Sequence, residues 1–158
     1  MTEPETPTHR IRRKAFTGFG VVMLGVLLFA VFFFLNFTTV VVSGTSMLPT
    51  FKTGSRLLAT KAYWLVGPLR HDDIVVMREK DGSGYFIKRV FRLPGEIIDV
   101  KTNDIVNLPR YRKLAEGSFV VPLGTVYVLG DNREVSSDSR EFGPVEMSRV
   151  IGKVVKVQ

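Results

Sequence analysis

Residues 19–35 are apolar or glycine without interruption, and the uncharged stretch around them runs from residue 15 to residue 51. No polar stripe divides this run, so it predicts a helix that is hydrophobic all round. At 1.5 Å per residue, a helix over residues 16–37 is roughly 33 Å long, enough to cross a hydrocarbon layer of about 30 Å. A removable signal peptide is the rival reading. Its apolar core is usually about 7 to 15 residues and is followed by a small-residue cleavage site. This run is longer, and Asn36-Phe37-Thr38-Thr39-Val40-Val41-Val42 has no A-x-A pattern, so an uncleaved membrane anchor is expected.

Beyond the span the pattern changes to short β-branched runs broken by Gly, Pro and Asp, at residues 38–42, 56–60, 74–78, 85–91, 97–101, 125–129 and 150–157. Runs of this length and spacing predict a mainly β chain, with a compact all-β domain of coiled-sheet or barrel-like form behind a single N-terminal helix. Residues 63–69 offer one turn of helix, ended by Gly67-Pro68. Residues 103–124 are the least regular and predict a loop or a small β excursion. Asp81-Gly82-Ser83-Gly84 reads as the turn of a hairpin between residues 74–80 and 85–91. Period two then puts Phe86, Lys88 and Val90 on one face of the second strand, and Ile87, Arg89 and Phe91 on the other.

Composition changes this picture only in part. The chain has 158 residues, and a tail over residues 1–14 and a span over 15–37 leave residues 38–158, enough for one modest domain with its own core. Arg10, Arg12, Arg13 and Lys14 lie directly before the span. The positive-inside rule places that end in the cytoplasm and the β domain across the membrane. The first nine residues lack apolar periodicity and are expected to be disordered, which leaves His9 without a chemical role. The net charge of +7 is scattered among acidic residues, with no basic helix, so it suits anionic lipid rather than nucleic acid. The absence of cysteine excludes disulfides and thiolate metal sites. His71-Asp72-Asp73 offers no metal-ligand spacing, so no metal or cofactor is expected and His71 reads as a loop residue.

Candidate chemistry starts at Ser46, a few residues past the span. Serine chemistry needs a base, and neither His9 nor His71 suits the part. Lys88 is the one lysine within a short apolar strand; Arg89 beside it stays protonated in proteins. A free lysine has a pKa near about 10.4, and lowering it by about three units takes roughly 4 kcal/mol of destabilisation of the ammonium, which burial among residues such as Phe86 and Val90 can supply. Two plainer readings stand beside this one. Lys88 could snorkel from its strand, and residues 130–144, rich in Gly, Asp, Asn and Ser, could be a solvated turn.

Taken together, Ser43-Gly44-Thr45-Ser46-Met47-Leu48-Pro49-Thr50, then Lys88-Arg89-Val90 with Leu93-Pro94-Gly95-Glu96, then the box from Gly130 to Gly143 resemble the motifs of type I signal peptidases, in that order. The likeness covers nearly the whole chain, anchor included. It implies a membrane-bound serine endopeptidase of the cell membrane that removes signal peptides from exported precursors on the outer side. By the same resemblance Ser46 is the nucleophile, Lys88 the general base and Ser136 the serine that orients the lysine. Asp138 and Arg140 correspond to a structural ion pair, and Asp131 and Asn132 belong to the same box.

Some relatives carry a serine two residues before the nucleophile, whose hydroxyl helps hold the oxyanion. Here Gly44 stands there, so the oxyanion would rest on the Ser46 N–H and a second donor that the sequence does not identify. The short segment between the lysine motif and the box gives a minimal catalytic core. Substrate is expected to lie as an added strand, with small residues, typically Ala, at the first and third positions before the cut, and Phe37, Val40, Val42 and Phe86 as candidate pocket walls. The alternatives are a specialised Ser/Lys peptidase of a conjugation or pilus system and an anchored β domain that only binds. Self-cleaving repressors share a serine followed by Met and a strand lysine, but they are soluble and carry a DNA-binding helical domain that has no counterpart here.

Overall fold

The computed structural model describes residues 8–99 and 118–157. The chain divides into two compact units, Met1–Asn36 and Phe37–Gln158. The first holds helix α1 (Thr8–Asn36), whose window Gly18–Asn36 has a mean hydropathy of 2.7 with none of it buried. The helix starts inside the tail expected from sequence. Arg and Lys are good helix formers, and extending a helix is far easier than nucleating one, so residues 8–14 simply continue the turn pattern of the apolar run. Met1 to Pro7 of the expected disordered tail lie outside the described residues.

The second unit is built on one seven-stranded sheet. Its strands in chain order are β1 (Phe37–Val41), β2 (Arg56–Thr60), β3 (Ile74–Arg78), β4 (Tyr85–Arg92), β7 (Thr125–Leu129), β8 (Val145–Glu146) and β9 (Val150–Val157), arranged β1-β2-β9-β3-β4-β7-β8. Between β4 and β7, β5 (Ile97–Asp99) and β6 (Ser118–Val120) pair as a separate two-stranded sheet. Pairing is antiparallel throughout, and register shifts in β2–β9, β3–β9 and β4–β7 add the local bends that coil such a sheet. Helix α2 (Tyr63–Val66) and helix α3 (Ser139–Phe142) are single turns.

The central strands are apolar on both faces because both faces are covered. Val76 and Ile87 pack with Val40, Val42, Met47, Phe51, Leu57 and Ala59, while Val75, Met77 and Val90 pack with Val126, Val128, Val145 and Val150. A third cluster, Ile98, Val121, Tyr127 and Leu129, joins the small sheet to β7. The β3–β4 hairpin sets Val75 opposite Lys88 and Val76 opposite Ile87, as the period-two reading requires. Its turn is closed by Glu79 N–H to Gly84 O at 2.9 Å and by Asp81 Oδ1 accepting from both the N–H and hydroxyl of Ser83.

Most predicted strands are found within a residue of their expected limits. The run over 97–101 is seen as Ile97–Asp99, with residues 100 and 101 outside the described residues, as is most of the irregular segment 103–124. Helix α3 and strand β8 were not expected from the sequence. Elements of four and two residues are too short to show a period.

Candidate active site

Ser46 is presented by the loop that leaves β1. Val42 N–H donates to Ser55 O and Gly54 N–H to Val42 O, both at 2.9 Å, which ties the two ends of the loop together. Gly44 at its tip has φ +93°, a left-handed conformation that a residue with a Cβ adopts only with strain, and its carbonyl accepts from the Thr53 hydroxyl at 2.9 Å. Met47 and Phe51 are buried in the core beneath. Ser46 is therefore fixed between an exposed Thr45 and an anchored Met47.

Lys88 rises from the middle of β4 with only 5% of its surface exposed, between Phe86 and Val90 as the alternation predicts. Its Nζ donates to Ser46 Oγ at 3.0 Å and lies 5.8 Å from the centre of the Phe86 ring. Burial pushes the Lys88 ammonium below the ordinary lysine range, against a smaller upward pull from the carboxylates of Asp138 and Glu79. The plain snorkelling reading does not describe this side chain.

The Gly130 box packs directly on the Ser46 loop. Asn132 N–H donates to Ser46 O at 2.9 Å, and its side-chain amide donates to Thr45 O at 3.2 Å. Gly130 also lies close against Ser46 and Ser136. A Cβ there would stand 2.1 Å from Ser136 Oγ and 2.7 Å from Ser46 O, so no side chain fits without displacing one of them. Gly130 N–H donates to Asp138 Oδ2 at 2.9 Å.

Ser136 is 1% exposed, and its hydroxyl has no hydrogen-bond partner among the described residues. Lys88 makes its side-chain hydrogen bond to Ser46 and not to Ser136. The lysine-orienting bond expected of Ser136 is therefore not formed in this arrangement, although the hydroxyl is buried against Gly130. Asp138 and Arg140 do form the expected pair, with Arg140 Nε and Nη2 donating to Oδ1 and Oδ2 at 2.8 and 2.9 Å.

A second pair went unrecognised in the sequence. Arg89 Nε and Nη2 each donate to a different oxygen of Asp131 at 2.7 Å, and the Thr50 hydroxyl also donates to Asp131. The alternation that turns Lys88 toward one face turns Arg89 toward the other, and that was the available signal. Burial would raise the Asp131 carboxyl, but the bonds from Arg89 and Thr50 outweigh it and hold the group below the usual carboxylate range.

A cavity of about 440 Å³ opens over Ser46 and Lys88, lined also by Val42, Ser43, Met47 and Phe86. Of the four candidate pocket walls, Val42 and Phe86 line it. Val40 points into the core cluster instead, and Phe37, half-buried at the start of β1, is not among the lining residues. His71 faces Glu96, with Nε2 2.7 Å from Oε1, while the other Glu96 oxygen accepts from Leu93 N–H, which ties the 93–96 turn to the loop before β3. Among the described residues no group of three or more His, Asp or Glu could hold a metal ion.

Comparison with known proteins gives one family by sequence. The family model described as "Signal peptidase, peptidase S26" matches residues 13–108 and 102–157. A signal peptidase I of Bacillus caldolyticus is 37% identical over 142 aligned positions, covering 75% of this chain and 77% of its own. One of Bacillus amyloliquefaciens is 30% identical over 180 positions, covering 96% and 92%. The crystal structure of a signal peptidase I from Enterococcus faecalis V583 superposes on 56% of this chain and 97% of its own, at 26% identity and a TM-score of 0.40.

Proposed function

The chain belongs to the signal peptidase family, peptidase S26, and from that membership we propose that it is a membrane-anchored serine endopeptidase that cleaves signal peptides from exported precursors with a Ser46/Lys88 dyad. The observation that carries this reading is the 3.0 Å contact between Lys88 Nζ and Ser46 Oγ, made by a lysine that burial drives toward its neutral form.

Neutral Lys88 takes the Ser46 proton as Oγ attacks the scissile carbonyl, and the spacing of the pair suits direct transfer. The carbonyl carbon becomes tetrahedral, its oxygen is held by the Ser46 N–H, and collapse expels the amine, which receives the proton from Lys88. Lys88 then activates a water that hydrolyses the acyl-enzyme and frees Ser46. Asn132 supports the first step by holding the Ser46 and Thr45 carbonyls, so the loop cannot turn the hydroxyl away. Ser136, whose buried hydroxyl has no hydrogen-bond partner among the described residues, is the group assigned to receive the lysine when its charge changes. The cavity formed with Val42 and Phe86 takes the small side chains before the cut, while the precursor lies extended beside β4.

Helix α1 serves as the anchor, with Arg10, Arg12, Arg13 and Lys14 on the cytoplasmic side and the β unit on the outer face of the cell membrane. Sharing the membrane with its substrates confines the search to one surface.

The test is incubation of the full-length protein in detergent with an export precursor, followed by sequencing of the new N-terminus. The expected product begins directly after a small residue. Ser46→Ala and Lys88→Ala are each expected to lower cleavage by at least about a thousandfold with the melting transition retained. Retained cleavage in either variant overturns the dyad.

A further inference from the structure

A second cavity, of about 520 Å³, adjoins the one that holds Ser46 and Lys88. The two share Phe86 and Glu79 as walls. Phe86 is the partition: one side of it faces Lys88, with Nζ 5.8 Å from the ring centre, and it meets Phe142 edge-on at 5.8 Å and 63°. Arg149 completes the aromatic corner, with its guanidinium carbon 5.7 Å from the Phe86 ring centre and its Nε fixed on Arg78 O at 3.0 Å.

Phe142 is 47% exposed, an unusual setting for an aromatic ring that is held in place. It closes α3, a single turn capped by Asp138, and Asp138 is itself locked by Arg140. The ring is thus presented to solvent from a rigid base rather than from a free loop. The remaining walls include Pro144 and the charges of Glu146 and Lys80, of opposite sign, so the cavity carries no strong selection for charge. Its chemistry favours a large apolar side chain, best an aromatic one that stacks between the ring of Phe142 and the Arg149 plane.

We propose that this cavity is a specificity subsite of the same active site, which holds a large aromatic or aliphatic side chain of the precursor at a position other than the two small ones, with Phe142 as its specificity-determining residue. The inference rests on the peptidase reading of Ser46 and Lys88. Its walls set it apart from the adjoining cavity: two aromatic rings and a fixed guanidinium line it, surfaces that a methyl group would leave largely uncovered. An extended peptide also turns successive side chains to opposite sides, so a chain seated over Ser46 presents neighbours outside the first cavity.

The test scans Phe in place of Ala along a precursor from five residues before the cut to three after, sparing the first and third positions before it. Two readouts are used: kcat/KM with the full-length protein, and binding of the same peptides to Ser46→Ala by fluorescence anisotropy. At one position Phe is expected to improve kcat/KM about tenfold or more, in the range that apolar pockets achieve. Phe142→Ala is expected to bring the Phe-to-Ala ratio close to one, and Phe142→Leu to leave part of it, with folding checked by near-ultraviolet circular dichroism. Cleavage without any such preference, or a preference that survives in folded Phe142→Ala, overturns the subsite and leaves the peptidase reading standing. Selective binding to Ser46→Ala with no cleavage by the unaltered protein keeps the subsite and overturns the peptidase reading.

Discussion

Two carboxylate–guanidinium pairs flank the Lys88–Ser46 contact with the same two-pronged geometry, yet they stand in opposite surroundings. Asp138 and Arg140 are 0% exposed at both side chains, whereas Arg89 and Asp131 are 25% and 11% exposed. The buried pair closes on its own segment. Asp138 also accepts from Gly130 N–H, and Arg140 donates to Arg133 O at 2.7 Å, so the bonds run within the box. The partly exposed pair joins segments instead: β4 through Arg89, the box through Asp131 and the Ser46 loop through Thr50. One pair thus gives the box its shape, and the other sets the box in register with the strand that carries Lys88.

The sharpest way to break that contrast is to remove Asp138. Asp138→Ala leaves Arg140 buried without its counter-charge, and breaking a buried pair in this way costs about 3–5 kcal/mol. Equilibrium unfolding in denaturant is expected to show that loss, with activity lost alongside it. A Asp138→Ala protein as stable as the parent would show that the buried pair does not hold the box.

Asp131→Ala ranks next. Loss of charge-assisted bonds at a partly exposed site is expected to lower stability by about 1–2 kcal/mol, well under the buried pair, while kcat/KM falls about tenfold as the box loses register. Equal destabilisation by Asp131→Ala and Asp138→Ala would erase the distinction between the pairs. Acid sharpens it further. The folded Asp131 carboxyl titrates below its unfolded value, so its stabilisation is complete above the unfolded pKa and is lost as pH falls through the folded one. Below about pH 4 the parent is expected to lose more stability than Asp131→Asn, measured by unfolding at stepped pH.

The same contrast explains what was legible in the sequence. The strands at β2, β7 and β9 and the hairpin that carries Lys88 follow from β-branched runs and turn chemistry, both local properties. Ser46, Lys88 and the Asp138–Arg140 pair were marked by three ordered motifs. The Arg89–Asp131–Thr50 contacts were not, because they join positions on three separate segments, and sequence spacing carries no record of a meeting that the sheet alone creates. Val40 was misjudged for a related reason. Val40 and Val42 share one core cluster, but only Val42, next to the loop that carries Ser46, also lines the cavity.

Lys88 itself feels the same division between a buried and an exposed carboxylate. Burial lowers its pKa, and Asp138 first, then Glu79, pull the other way. Glu79 lies exposed on the wall of the cavity over Ser46 and Lys88, where solvent and salt screen it. Glu79→Gln removes a charge that favours the ammonium, so the neutral base forms at lower pH and the acid limb of the kcat/KM profile moves toward lower pH. The shift is the smallest effect expected here. It should be measurable at low ionic strength and close to absent at 1 M salt, where the screening length is about 3 Å. A limb that stays fixed at low salt, or moves upward, would show that Glu79 exerts no field at Lys88 and that the buried Asp138 is the carboxylate that sets the opposing pull.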